Sequence, residues 1–466
     1  MSMVDTAIAS ISRAIGMRIC GRVAAVRGLI VLVDDLPLPV GSMVRIGGST
    51  GLEGRKPLLG EIVAIERQQC VVMVLGQTDG IRAGDQVLGL EASKTGRVGP
   101  KLLGRVIDGL GRPIDDLGIP SELRAAPLSP PPLAALRRAR VSKQLLTGVR
   151  VIDLLTPLGK GQRLGVFAGP GVGKSTLLGT IAQRASSDVN VIALIGERGR
   201  EVRDFIEHSL GPEGLARSVV IVATGDEPPL MRIRAARLAC CVAEHFRDAG
   251  KDVLLMMDSV TRFAHAQRQV GLSAGEPPTT KGYTPSVFAM LGLLLERAGA
   301  LEGVSKGGGG GGIGGGVGGG SITGLYTVLV EGDDMTEPVA DAARGILDGH
   351  IILSRRLAQR GHFPAVDVLD SVSRVAGDIT DERCGKARRQ ILRMLAAYRD
   401  VEDLIQIGAY ARGAKPESDI AVECNPAILD ILRQSGDDRQ AHPEALARFL
   451  KLAEESARRI DGGKKP

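Results

Sequence analysis

The chain has 466 residues, 44% of them hydrophobic, and carries 59 Lys and Arg against 53 Asp and Glu, for a formal net charge of +6. It reads as a globular chain with core material for about two to four domains. No long apolar run occurs, and the start, Met1-Ser-Met-Val-Asp-Thr, has no basic n-region leading into an apolar h-region, so neither a membrane span nor a secretory leader is predicted and the expected location is cytoplasmic.

The modest basic excess is a weak pointer to nucleic acid or an acidic membrane surface. Aromatic residues weigh more. There is no Trp, and neither Phe nor Tyr precedes Phe167, so the N-terminal third offers no platform on which single-stranded bases stack, and no nucleic-acid partner is expected. Six cysteines (Cys20, Cys70, Cys240, Cys241, Cys384, Cys424) show no metal-type spacing and read as small core residues of a reducing compartment.

In chain order, Val4, Ile8, Ile11 and Ile15 fall on one face of a helix over residues 1–17, which suits packing on the next domain or docking to a partner equally well. Residues 18–92 read as a small β-barrel, with Met17-Arg-Ile-Cys20, Leu29-Ile-Val-Leu-Val33, Glu61-Ile-Val-Ala-Ile65 and Val71-Val-Met-Val-Leu75 as strands between Gly and Asp turns. After the Pro-rich connector Ala126-Pro-Leu-Ser-Pro-Pro-Pro132, apolar strands alternate with longer helical patterns, so residues 93–378 are expected to form an α/β domain with a mainly parallel sheet. Residues 379–466 are charged and helix-periodic, as in Arg388-Arg-Gln-Ile-Leu-Arg-Met-Leu395 and Pro443-Glu-Ala-Leu-Ala-Arg-Phe-Leu450, and predict a small helical domain. Gly307 to Gly320 is all glycine except Ile313 and Val317; such a tract cannot pack a core and is expected to be a surface insertion.

The chemistry concentrates in Ala168-Gly-Pro-Gly-Val-Gly-Lys-Ser-Thr176, between the apolar stretch Arg163–Ala168 and the helix-periodic stretch Thr176–Arg184. Gly169, Gly171 and Gly173, with Pro170 and Val172 between them, let backbone N–H groups turn inward around a phosphate. Lys174 supplies a point charge for the β and γ oxygens, Ser175 a hydroxyl for magnesium, and Thr176 continues into the helix; ATP and Mg2+ are the expected ligands. Asp258, ending the apolar run Lys251-Asp-Val-Leu-Leu-Met-Met-Asp258, is the metal-side carboxylate such a loop needs; the bland alternative is a cap for the helix that follows. Glu197 and Glu201 lie just beyond Ile192-Ala-Leu-Ile195, where either suits a water-activating base. Interleaved with Arg198, Arg200 and Arg203, they read as readily as surface ion pairs, and spacing does not choose between the acids.

Taken together, Gly148-Val-Arg-Val-Ile-Asp153, the phosphate loop, Gly196-Glu-Arg-Gly-Arg-Glu-Val202, Gly275-Glu-Pro-Pro-Thr-Thr-Lys-Gly-Tyr-Thr-Pro-Ser-Val-Phe288, Glu331-Gly-Asp-Asp-Met-Thr-Glu-Pro338 and Asp348-Gly-His-Ile-Ile-Leu-Ser-Arg355 resemble the catalytic subunits of rotary-type ATPases. The Gly-Glu-Pro-Pro-Thr-Thr-Lys-Gly-Tyr wording and Leu404-Ile-Gln-Ile-Gly-Ala-Tyr410 are most similar to the flagellum-specific ATPases of type III protein export. The resemblance covers about residues 18 to 450. It implies a RecA-like core, a homohexamer with sites between subunits, and work at the cytoplasmic face of an export apparatus.

By position, the resemblance implies that Glu197 polarises the attacking water, with Glu201 a supporting acid on the metal side and Arg198 nearby. It places Arg262 near the γ-phosphate, makes Arg374 in Asp370-Ser-Val-Ser-Arg374 an arginine finger for the neighbouring site, and sets Phe363 against the adenine. It further implies a stator or regulator protein at the N-terminal region, a central stalk-like protein, an export gate with chaperone–cargo complexes, and room for peripheral membrane association. Two departures stand out: the glycine tract replaces a short turn, and Thr284 stands for an expected proline in the loop that resembles the stalk-facing one. The alternatives are the ATPase of a virulence type III secretion system, an RNA-dependent hexameric helicase resembling Rho, and a non-catalytic ring subunit. The last would lack one of Lys174, Glu197 or Asp258.

Overall fold

Short runs of alternating apolar residues close the N-terminal segment on itself. In the computed structural model, which describes residues 19–47, 57–90, 95–302, 319–330, 332, 334–413, 415–436, 438 and 440–462, six strands form a closed barrel. They are β1 (Cys20–Arg27), β2 (Ile30–Asp34), β3 (Met43–Ile46), β4 (Leu58–Glu66), β5 (Gln69–Val74) and β6 (Gln86–Gly89), in the order β1-β2-β5-β4-β3-β6. Pairing of Cys20 with Leu88 seals the ring, and closure removes the free edges a short sheet would otherwise present. Val31, Val33, Val44, Ile62, Val72 and Val87 fill the interior. The expected barrel is present; β3 and β6, four residues each, are too short to show a period in the sequence.

The central domain is built on β7 (Val106–Asp108), β8 (Arg163–Ala168), β9 (Val189–Ile195), β10 (Ser218–Ala223), β11 (Asp252–Asp258), β12 (Ser321–Leu329), β13 (Gly349–Leu353) and β14 (Val366–Ser373), ordered β14-β13-β8-β12-β11-β9-β10-β7. All pairings along this path are parallel except β13 with β14. A parallel sheet needs cover on both faces. Val191, Ala193 and Ile195 of β9 pack among residues of α2 (Pro229–Asp248), α3 (Val260–Ser273) and α4 (Pro285–Leu295). Ile192 and Leu194 point the other way, among Leu177, Leu178 and Ile181 of α1 (Lys174–Arg184). The period of two therefore splits each strand between two cores.

Helices α5 (Glu382–Gln406), α6 (Pro416–Leu432) and α7 (His442–Gly462) form the C-terminal bundle. Ile391, Met394, Ile420, Ile428 and Phe449 join the core on the α1 face, so the bundle shares apolar contacts with the sheet domain. Cys240 and Cys241 are buried on α2, as expected of core residues. The helix expected over residues 1–17 lies outside the described residues, as does the glycine tract through residue 318. At its margins the Leu301 N–H donates to the Gly320 carbonyl (3.0 Å), so the insertion leaves and re-enters the fold at one point. Among the described residues no helix is long and apolar enough to cross a membrane.

Candidate nucleotide site

Parallel strands present their C-terminal ends at one edge of the sheet, where ligands of open α/β folds bind. β8 delivers the phosphate loop to that edge. Ala168 pairs with Leu329 of β12, and Met257 of β11 pairs with Tyr326 of β12, so the loop and Asp258 flank a single intervening strand. Leu194 of β9 pairs with Asp258, which brings Glu197 to the same edge.

Gly171 and Gly173 have φ of 77° and 86°, a region open to glycine, so the loop adopts the turn that aims N–H groups at an anion. Val172 is buried beneath it, while Pro170, Ser175 and Thr176 are exposed at its mouth. Lys174 begins α1, and its Nζ donates to Asp258 Oδ1 (2.5 Å) and to Glu197 Oε1 (3.3 Å). Burial opposes the Lys174 charge, but Asp258 and Glu197 outweigh it and hold the ammonium above its ordinary range. Asp258 is 6% exposed and also accepts the Thr327 hydroxyl (2.6 Å). The cap of α3 is Ser259, whose side chain accepts the Arg262 N–H (3.3 Å), so Asp258 is free of the capping role and faces Lys174.

The two acids that spacing leaves equivalent are separated by where the chain turns. Glu197 points inward to Lys174, and burial, with Asp258's charge adding to it, pushes its carboxyl up to about 7. Glu201 sits at the surface and pairs with Arg198 (3.2 Å), while Arg200 pairs with Asp204 (3.7 Å) and Arg203 with Glu207 (2.7 Å). Surface ion pairing thus describes every member of the run except Glu197. Arg262 is exposed, and its stem lies against Gly196, where an added Cβ would come within 2.8 Å of the arginine's own.

Phe363 is 46% exposed and borders the loop, its ring 3.6 Å from where a Cβ on Gly173 would sit. Beside it a cavity opens between Thr176 and Thr180 of α1 and the segment Gln434–Gly436. That segment belongs to the C-terminal bundle and is not among the residues that the sequence singles out. Arg374 does not join the cluster. It follows β14, whose Ser373 pairs with Gly349 at the start of β13, whereas Ala168 pairs with Leu353 at its end. The four-residue offset is about 13 Å along the strands, and β14 is the margin of the sheet path. Arg374 is therefore exposed at the end opposite its own phosphate loop.

The nucleotide-binding domain model of the ATP synthase alpha/beta family matches residues 148–373, the beta-barrel domain model of that family matches residues 23–91, and the model of the T3SS EscN ATPase C-terminal domain matches residues 380–451. The flagellum-specific ATP synthase of Bacillus subtilis is 46% identical over 93% of this chain and 94% of its own. The type 3 secretion system ATPase of Xanthomonas euvesicatoria is 43% identical over 95% and 96%. Among solved structures, the assembled ATPase EscN of the enteropathogenic E. coli type III secretion system superposes with a TM-score of 0.84 at 39% identity, covering 93% of this chain and all of that one. EscN in complex with its central stalk EscO gives 0.81. The chain belongs to the ATP synthase alpha/beta family, among the flagellum-specific and type 3 secretion system ATPases.

Proposed function

We propose that this chain hydrolyses ATP to ADP and phosphate in a hexameric ring that assists flagellar type III protein export, each site being completed by the neighbouring copy. The observation that carries the reading is the largely buried Lys174 ammonium held between Asp258 and Glu197 at the mouth of a glycine turn. Charge of this kind, prepared before substrate arrives, is what stabilises a transferring phosphoryl group. In this reading the loop N–H groups and Lys174 cradle the phosphates, Glu197 orients and polarises the attacking water, and Arg262 neutralises charge near the γ-phosphate. Arg198 and Glu201, paired at the rim, support that arrangement. Phe363 stacks against the base.

Ser175, Asp258 and Glu201 are hard oxygen donors of the type magnesium takes. Asp258 lies beside Lys174 at the mouth of the loop, where an ion would be shared with phosphates and water. When bound, Mg2+ supplies charge neutralisation to the phosphate oxygens.

Arg374 would act in trans. Its place at the sheet margin, away from its own loop, and the assembled state of EscN support this. A guanidinium fixed over the phosphoryl group offsets its spread negative charge. The EscN–EscO complex supports a central stalk partner for this chain as well. A stator protein at the N-terminal region, an export gate and chaperone–cargo complexes complete the proposed setting, at the cytoplasmic face of the export apparatus.

The reading is tested by phosphate release from Mg-ATP: wild type turns over, and Glu197→Gln binds nucleotide without hydrolysing it. Full turnover by Glu197→Gln refutes the water-activating role. The secretion ATPases from Xanthomonas and E. coli favour virulence export as a second reading. Loss of motility and flagellin export in a deletion strain decides for the flagellar one, and intact motility decides against it.

A further inference from the structure

Beside the phosphate loop, the wall of the base cavity is borrowed from the C-terminal bundle. The Gln434 backbone N–H donates to the Phe363 carbonyl (2.9 Å). Its side-chain Oε1 accepts the Arg150 backbone N–H (2.9 Å), and its Nε2 donates to the Gly148 carbonyl (3.0 Å). One residue thus ties together the turn before the short helix Arg150–Leu155, the base-side segment at Phe363, and the end of α6.

Two arginines hold this junction. Arg150, 6% exposed, donates Nε to the Ile431 carbonyl (2.9 Å), Nη1 to Asp438 Oδ2 (2.6 Å) and Nη2 to the Arg433 carbonyl. Arg184, the last residue of α1, donates to the carbonyls of Asp438 (2.8 Å) and Gly436. The helix that begins with Lys174 therefore ends on the same segment. None of these contacts touches Asp258, the last residue of β11, or Glu197, which follows β9.

We infer that Gln434 is a positioning residue for the base end of the site: it fixes Phe363 at the separation from Gly173 and Thr176 that a base fills, and so makes nucleotide affinity depend on docking of the C-terminal bundle. Both polar ends of the Gln434 amide are engaged by Gly148 and Arg150, so it sets spacing rather than reading the base. The inference rests on the proposed stacking role of Phe363.

Gln434→Met keeps the length of the side chain and removes both of its hydrogen bonds. Steady-state kinetics with Mg-ATP, and competitive inhibition by inorganic tripolyphosphate, which has no base, separate the two ends of the site. We expect the KM for ATP to rise about tenfold with kcat within about twofold, and tripolyphosphate inhibition to stay as in wild type. Gln434→Ala, which also removes the contacts to Arg150 and Gly148, serves as the test variant if Gln434→Met does not fold. In the double variant with Phe363→Ala, the KM effects should fall short of multiplying, because one residue acts through the other. An unchanged KM in the single variant overturns the inference, as does equal weakening of ATP and tripolyphosphate or full multiplication in the double variant. If wild type itself shows no ATP turnover, the proposed function fails instead.

Discussion

Lys174 and Asp258 meet at 2.5 Å across the one strand, β12, that separates the phosphate loop from the end of β11. Glu197 lies 3.3 Å from the same ammonium. One largely buried cation thus serves two acids, Asp258 buried and Glu197 partly so, and its loss leaves both without their counter-charge.

Removing that cation should be severe. Lys174→Ala takes away the charge aimed at the phosphates and leaves Asp258 and Glu197 facing each other, so turnover is expected to fall by at least about a hundredfold. Phosphate release from Mg-ATP checks it, and a variant within a few-fold of wild type would remove Lys174 from the chemistry.

The environment of Glu197 predicts a pH signature. Its carboxyl, ordinarily titrating at 4.5, is pushed up to about 7 by burial and the Asp258 charge. Between those values the folded state binds more protons than the unfolded one, so this group makes the wild type lose stability as pH rises through the window. Glu197→Gln carries no such proton. Its melting temperature relative to wild type should therefore climb from about pH 5 to about pH 8; a flat difference would mean the carboxylate is ionised throughout.

Much of the site was legible because it is local. The loop from Ala168 to Thr176 needs only a strand before it and a helix after it, and both show in the pattern. Asp258 was legible for the same reason, at the end of an apolar run. Glu197 and Glu201 were not separable, since their different fates depend on Lys174, far off in sequence, drawing one of them inward. The small β3 and β6 escaped because barrel closure, not propensity, makes them strands. Gln434 left no sequence signal at all: its importance comes from three long-range hydrogen bonds, and nothing in the turn that carries it announces them.

The base end can be probed without touching the phosphates. Phe363→Ala should raise the KM for ATP about tenfold, the order of a lost stacking contact, whereas Phe363→Tyr should stay near wild type because the ring is kept. Equal kinetics for all three proteins would make Phe363 a bystander.

A structural ion pair away from the site gives an independent check on the fold. Arg297 makes a two-pronged contact with Glu244 of α2 (2.8 and 2.7 Å), both side chains largely buried. Glu244→Ala leaves the guanidinium with carbonyl partners only, at an expected cost of about 3–5 kcal/mol, read by denaturant unfolding. A loss below about 1 kcal/mol would show that this pair is solvated.

In the proposed ring, a working site takes its phosphate loop from one copy and Arg374 from the next. The direct measurement is ATP turnover after mixing Lys174→Ala copies with Arg374→Ala copies, each inactive alone. Some junctions in a mixed ring join an intact Lys174 to an intact Arg374, so activity should return as the two are combined. No recovery in assemblies confirmed to contain both variants would contradict a shared site.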